Sequence, residues 1–183
     1  KDLCMIEHIP EMMEAGIDSF KIEGRMKTAL YVATVTRAYR LAIDAYRRDP
    51  EEYKKNLAWY KEEIGKCTNR EFTTGFYFGK PGADSQIYEN STYITNYVYL
   101  GRVDQVDERG RCRLEQKNKF SVGEELELMK PDGRNIPVTV AGIWDTEGNF
   151  QESCPPARQI IDVVLGFVPE PYDILRRRAE ETR

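Results

Sequence analysis

Apolar residues recur every three or four positions through the first part of the chain and at alternate positions through its second half, so two kinds of structure follow one another. Residues 9–15 read as a short helix, with Pro10 near its start and Gly16 placed as a helix-terminating residue. Residues 17–23 show mixed alternation and predict a strand that ends at Gly24-Arg25. Over residues 28–47, Tyr31, Val35, Ala38, Tyr39, Ala42 and Tyr46 form one apolar stripe, which predicts a long helix. Asp49-Pro50 stops it, because proline disfavours helical geometry in the residue before it. A further helix is expected over residues 51–65, with Tyr53, Leu57, Tyr60 and Ile64 on one face. Helix, strand, helix is the local order of a parallel α/β fold.

The pattern changes after the turn-rich Gly79-Lys80-Pro81-Gly82. Strands are expected at residues 97–106, 111–116, 124–129, 136–141 and 159–165, separated by Asp/Gly-containing turns. Leu126 and Leu128 alternate with Glu125 and Glu127, and Ile136, Val138 and Val140 alternate with Pro137 and Thr139. Short strands at this spacing predict a small antiparallel β-barrel. The segment from Pro169 is polar and reads as a partly frayed tail that carries Arg176-Arg177-Arg178. The expected fold class is therefore α+β, with residues 1–83 as a βα unit, 84–168 as the barrel and 169–183 as the tail.

Composition narrows this only a little. A chain of 183 residues that is 40% hydrophobic and 32% charged can build a real core, which argues against disorder. No apolar run approaches the length that crosses a bilayer and no signal peptide opens the chain, so no membrane partner is expected; widely spaced, unpaired cysteines suit a reducing, cytoplasmic location. Net charge is −4; cations and carboxylates nearly balance in residues 1–83, whereas carboxylates prevail afterwards. That excludes a dedicated, globally basic nucleic-acid binder and leaves only local patches. The four cysteines (Cys4, Cys67, Cys112 and Cys154) lie far apart, and His8 is the single histidine. Free thiols are expected, and neither a zinc site nor any other metal site.

Three stretches together resemble the collagenase-like peptidase family. They are Lys1-Asp2-Leu3-Cys4, residues 17–27 reading IDSFKIEGRMK, and residues 69–79 reading NREFTTGFYFG. The resemblance covers nearly the whole chain. It implies the closing βα segment of a TIM-type barrel, joined to a β-barrel similar to domain two of elongation factor Tu. It also implies that the family's cysteine-rich signature, with any metal or iron–sulfur cluster, belongs upstream of Lys1, so no cofactor is expected here. Members are usually labelled proteases, but some are RNA hydroxylation factors acting on tRNA with prephenate, or on ribosomal RNA with an iron–sulfur cluster. The resemblance therefore implies either a peptidase whose β-barrel recognises a protein or peptide, or an RNA-modifying protein whose β-barrel binds structured RNA. A pure binding module is the third reading.

In such a barrel, function gathers where strands end. Lys21 and Glu23 would then point inward together as a general acid/base couple, or as a buried ion pair that only closes the barrel. Arg25, just ahead of a helix, is placed to hold a carboxylate or phosphate. Asp2 reads as a substrate ligand or as a cap. Cys4 and His8 are four residues apart and form only a weak nucleophile–base candidate. Arg70 belongs to a segment that either docks against the barrel, with Phe76, Tyr77 and Phe78 buried, or contacts a peptide or nucleotide. Arg111 and Arg113 should face solvent while Cys112 and Leu114 face inward. With Arg109, Lys117 and Lys119 they make a basic strip suited to RNA phosphates, or simply a solvated charged face.

Overall fold

The long amphipathic pattern and the capping residues around it form the helices of the first half. The structure is a computed structural model that describes residues 1–87, 93–155 and 158–179. The chain divides into two compact units, Lys1–Asn96 and Tyr97–Arg183.

In the first unit, strand β1 (Asp2–Leu3) leads through a short 3₁₀ turn into helix α1 (Ile9–Glu14). Pro10 occupies its first turn, and Gly16 follows it with φ +75°, as the sequence predicts. Helix α2 (Ala29–Arg48) opens on Thr28, whose hydroxyl accepts the Tyr31 N–H at 3.2 Å. Asp49 ends α2 in extended geometry, and its carboxylate caps α3 (Pro50–Gly65) by accepting the Glu51 N–H at 3.0 Å. Strand β2 (Phe72–Thr73) then returns parallel to β1, pairing Asp2 with Phe72 and Leu3 with Thr73. A parallel pair bridged by helices is the expected βα grammar.

The core of this unit is helical. Ala38, Ala42 and Ala45 keep one face of α2 low, and Ile6, Ile9, Tyr53, Tyr60 and Ile64 close over it. Two phenols satisfy backbone groups inside it: Tyr39 accepts the Met5 N–H at 2.7 Å, and Tyr53 donates to the Ile6 carbonyl at 2.8 Å. The expected stripe on α2 is offset, because Thr34 and Arg37 are buried while Tyr31, Tyr39 and Tyr46 are only half-buried. Arg37 pairs with Glu63 of α3, and Lys66 reaches the same carboxylate at 3.1 Å.

One predicted element does not form. Residues 17–24 are irregular rather than a strand. Their alternation is present, with Phe20 and Ile22 half-buried and Lys21 and Glu23 outward. A strand also needs a neighbour to complete its ladder, and among the described residues none lies alongside.

The second unit is all-β. It contains β3 (Tyr97–Val106), β4 (Cys112–Glu115), β5 (Glu125–Met129), β6 (Asn135–Trp144), β7 (Phe150–Gln151), β8 (Ile160–Leu165) and β9 (Ile174–Arg178). Antiparallel pairing runs β5–β9–β3–β4–β8–β6, and β6 pairs again with β5. Six strands therefore close into a ring, which removes the exposed edges of an open sheet. Strand β6 turns the corner: Asn135 to Thr139 pair with β5, and Val140 to Trp144 pair with β8, with a register shift between Val140 and Gly142. Leu100, Val103, Leu114, Phe120, Leu128, Ile143, Ile161, Val163 and Leu175 fill the interior. Each such aliphatic contributes about 2 kcal/mol over its exposed state.

The frayed tail is a correction. Residues 174–178 are β9, set between β5 and β3, and Ile174, Leu175 and Arg176 are buried. The apolar pair Ile174-Leu175 seals the ring, and half-buried Glu127 compensates the arginine that made the segment look solvated.

Candidate functional site

The β1–β2 pair brings Asp2 and Arg70 together across most of the first unit. The Asp2 N–H donates to the Glu71 carbonyl at 2.9 Å and the Cys4 N–H to the Thr73 carbonyl at 2.9 Å, which sets the register. Arg70 then donates from Nε and Nη2 to Asp2 Oδ1 at 3.3 and 3.1 Å, and from its backbone to Oδ2 at 3.2 Å. Lys27 Nζ lies 4.0 Å from Oδ2. This pairing holds the Arg70 guanidinium above its ordinary range, chiefly through the Asp2 hydrogen bonds. Asp2 is thus a counter-ion that orients Arg70.

The backbone beside Arg70 is strained. Glu71 has φ 60°, uncommon for a residue with a side chain. Its N–H donates to Oδ1 of buried Asn69 at 3.1 Å, while Asn69 Nδ2 donates to the Cys67 carbonyl at 2.8 Å. Asn69 therefore locks the turn that aims Arg70. Tyr93 receives two cations on its ring, Arg70 at 5.2 Å and Lys27 at 5.1 Å from the centroid. Sequence reasoning passed over Asn69 and Lys27, although both stand inside the quoted motifs.

Arg70 also lines a cleft of about 620 Å³, with Lys1, Lys80, Thr73, Phe76 and Ser85 among its walls. Three cations and two hydroxyls face it, and Asp2 already pairs with one of those cations, Arg70. Glu71 holds Lys1 from beside it at 2.9 Å. Gly75 turns the chain here at φ +57°, where a side chain would also press on Leu3 at 3.3 Å. The aromatic run does not bury as expected. Phe76, Tyr77 and Phe78 are 78%, 56% and 61% exposed, because successive turns from Thr74 to Gly79 project them outward. A positively charged cleft with an exposed ring is chemically suited to phosphate and base together.

The other candidates of this unit stand apart from that chemistry. Lys21 and Glu23 approach to 3.9 Å, but at 86% and 71% side-chain exposure they form a solvated pair, not the inward couple expected. Glu23 instead braces a turn, accepting the Arg25 N–H at 2.9 Å. Arg25 is exposed, in a turn preceding α2. Cys4 and His8 do not meet: the Cys4 thiol is 3.7 Å from the Tyr39 hydroxyl, and His8 engages Glu11 at 3.1 Å and the Phe78 ring at 4.5 Å. Among the described residues no three His, Cys, Asp or Glu side chains gather to hold a metal ion. No described helix is long and apolar enough to cross a membrane.

In the barrel, Arg113 points out and Cys112 and Leu114 point in, as alternation predicts. Arg113 grips Asp162 with two hydrogen bonds of 2.7 and 2.9 Å, which raise its pKa. Lys117 pairs with Glu115 at 2.8 Å, so the basic strip is partly neutralised by its own neighbours. Arg111 instead lies 4.2 Å from the centroid of the Trp144 ring.

Fold and site define a mixed α/β protein: a parallel βα unit carrying a cationic cleft, followed by a closed antiparallel barrel with an arginine-bearing outer face. Residues 1–87 match the profile of Peptidase family U32, and residues 95–176 match the Peptidase family U32 C-terminal domain. The chain belongs to this family, as the three motifs anticipated. It is similar to tRNA hydroxylation protein P1 of Bacillus subtilis, 41% identical over 97% of this chain and 42% of that protein. It is 31% identical to tRNA hydroxylation protein P of Escherichia coli over 95% of this chain and 36% of that protein. A collagenase of Porphyromonas gingivalis is 30% identical over 72% of this chain and 37% of its own length. The chain thus spans well under half the length of these relatives.

Proposed function

We propose that this chain is the C-terminal part of a cytoplasmic RNA-modifying protein that hydroxylates tRNA, and that it serves to hold the RNA. The cleft lined by Lys1, Arg70, Lys80 and exposed Phe76 carries this reading. Lys80, with Arg70 and Lys1 held beside it by Asp2 and Glu71, would meet phosphate there, and a base can meet the ring. The similarity to two of the tRNA hydroxylation proteins, those of Bacillus subtilis and Escherichia coli, extends over almost the whole chain, whereas that to the collagenase covers 72% of it. The first unit would supply the closing βα segment of a TIM-type barrel; the parallel β1–β2 pair and the unpartnered, alternating residues 17–24 support that placement. In the complete barrel, Lys21, Glu23 and Arg25 would gain the neighbours they lack here.

The peptidase reading, in which the β-barrel recognises a protein substrate, keeps the support of the collagenase similarity. One experiment separates the two. Binding of the chain to bulk tRNA is measured across a salt series beside binding to gelatin, with Lys80→Glu as the variant. The expected outcome is tRNA binding that weakens with salt, falls several-fold in Lys80→Glu, and loses about one unit of salt slope. Gelatin binding without tRNA binding at low salt would reverse the assignment.

A further inference from the structure

Register and alternation place an unusual row of side chains on the outside of the barrel. Gln105 on β3 pairs with Arg113 on β4, Arg113 with Asp162 on β8, Asp162 with Trp144 on β6, and Trp144 with Phe150 on β7. Their chain neighbours Cys112, Leu114, Ile161, Val163 and Ile143 are buried, so Arg113, Asp162 and Trp144 are directed away from the core. Trp144 lies over Gly142, where an added Cβ would come within 2.3 Å of the ring. Phe150 meets its edge at 5.9 Å and is 57% exposed.

Arg111 lies against the same indole. No carboxylate pairs with Arg111 among the described residues. The two acids nearby are engaged: Asp162 holds Arg113 with both oxygens, and Asp107 Oδ1 accepts the backbone N–H groups of Arg109 and Arg111 at 2.9 and 2.8 Å. Beside Arg111 opens a polar cleft of about 300 Å³, lined by Gln105, Asp107, Arg113 and Asp162 as well. That is the lower end of small-ligand sites. The row therefore combines a planar cation backed by an aromatic ring, an exposed second ring, and amide and guanidinium groups one cleft away.

We propose that this row is a subsite for one unpaired nucleotide of RNA. The base stacks on the guanidinium plane of Arg111, which Trp144 supports, and its edge meets Gln105 and Arg113 in the cleft. Guanidinium planes and aromatic rings accept any base by its face, and Arg111, which no carboxylate pairs among the described residues, offers a cation to the adjoining phosphate. The proposal rests on the RNA reading above and specifies where the barrel would make contact. If the Arg111–Trp144 stack served only to pin the turn between β3 and β4, it would be indifferent to nucleotides.

The test uses the full chain with Trp59→Phe, leaving Trp144 as its single tryptophan. A short oligoadenylate is titrated against indole fluorescence, with inorganic polyphosphate as the charge-only probe. Oligoadenylate should quench Trp144, and polyphosphate should not. Arg111→Ala should weaken oligoadenylate binding roughly tenfold, and Arg111→Lys, which keeps the charge but not the plane, should weaken it nearly as much. Thermal melting checks that each variant is folded. If Arg111→Ala does not fold, Phe150→Ala on the short β7 strand replaces it and should also reduce the quench. Equal quenching by polyphosphate, or unchanged affinity in both Arg111 variants, overturns the subsite while Lys80-sensitive tRNA binding survives. Failure to bind either tRNA or oligoadenylate at low salt overturns the subsite and the RNA reading together.

Discussion

Arg176 is completely buried, an uncommon position for a guanidinium, and its partners explain how the barrel tolerates it. Nε and Nη2 donate to Glu127 Oε1 at 2.7 and 2.6 Å, and the plane lies 5.0 Å from the centre of the Tyr97 ring. These contacts tie β9 to β5 on one side and to β3 on the other. Arg176→Ala removes the buried cation that ties Glu127 to β9 and leaves a cavity, so a loss of about 3 kcal/mol is expected in denaturant unfolding. Arg176→Met refills the space but removes the same cation from Glu127, so it should recover only the packing part of that loss. At this scale the sequence was least readable. A triple arginine looks solvated unless the partner Glu127, 49 residues away, is already in place. The buried Arg37–Glu63 pair escaped notice for the same reason, although a charge inside each of two successive apolar stripes is a usable signal.

Elements divide according to what stabilises them. Helices α1, α2 and α3 were legible almost to their ends, because their caps and stripes are local in sequence: Thr28, Asp49 and Pro50 sit where the hydrogen bonds start and stop. The barrel turns were equally legible. In the β5–β6 turn Asp132 is held below the ordinary aspartate value by Arg134, through its side chain and then its backbone. In the β6–β7 turn Asp145 is lowered by Asn149 in the same way. A carboxylate with a depressed folded-state pKa stabilises above its unfolded value, near 4, and that contribution fades as pH falls through the folded value. The barrel should therefore lose stability on the acid side of pH 4, followed by Trp144 fluorescence in Trp59→Phe. Asp132→Asn with Asp145→Asn should flatten that dependence; an unchanged acid profile in the double variant would refute the assignment. Residues 17–24 mark the opposite case, since correct alternation cannot make a strand without a neighbour.

For the molecule as a whole, the two units carry separate cores, one helical and one built from six paired strands. Closure of the ring depends on β9 lying between β5 and β3. Truncation after residue 168 should therefore open two edges, expose the interior around Leu100 and Leu128, and give an aggregating species without a cooperative melt. Residues 97–179 alone should melt cooperatively. Circular dichroism and size-exclusion chromatography distinguish the two. A truncated chain as stable as the complete barrel would show that the last strand is dispensable.

The sequence by itself determined the helices, most of the strands, the inward and outward sides of β4, β5 and β6, and membership of the family. Each of these depends on spacing or on short contiguous motifs. Tertiary structure alone decided that the arginine-rich end is a central strand, that Asp2 orients Arg70, that Phe76 faces outward, and that Arg111 rests on Trp144. Those outcomes depend on pairs remote in sequence, whose free energy exists only once closure of the fold has brought them together and excluded water between them.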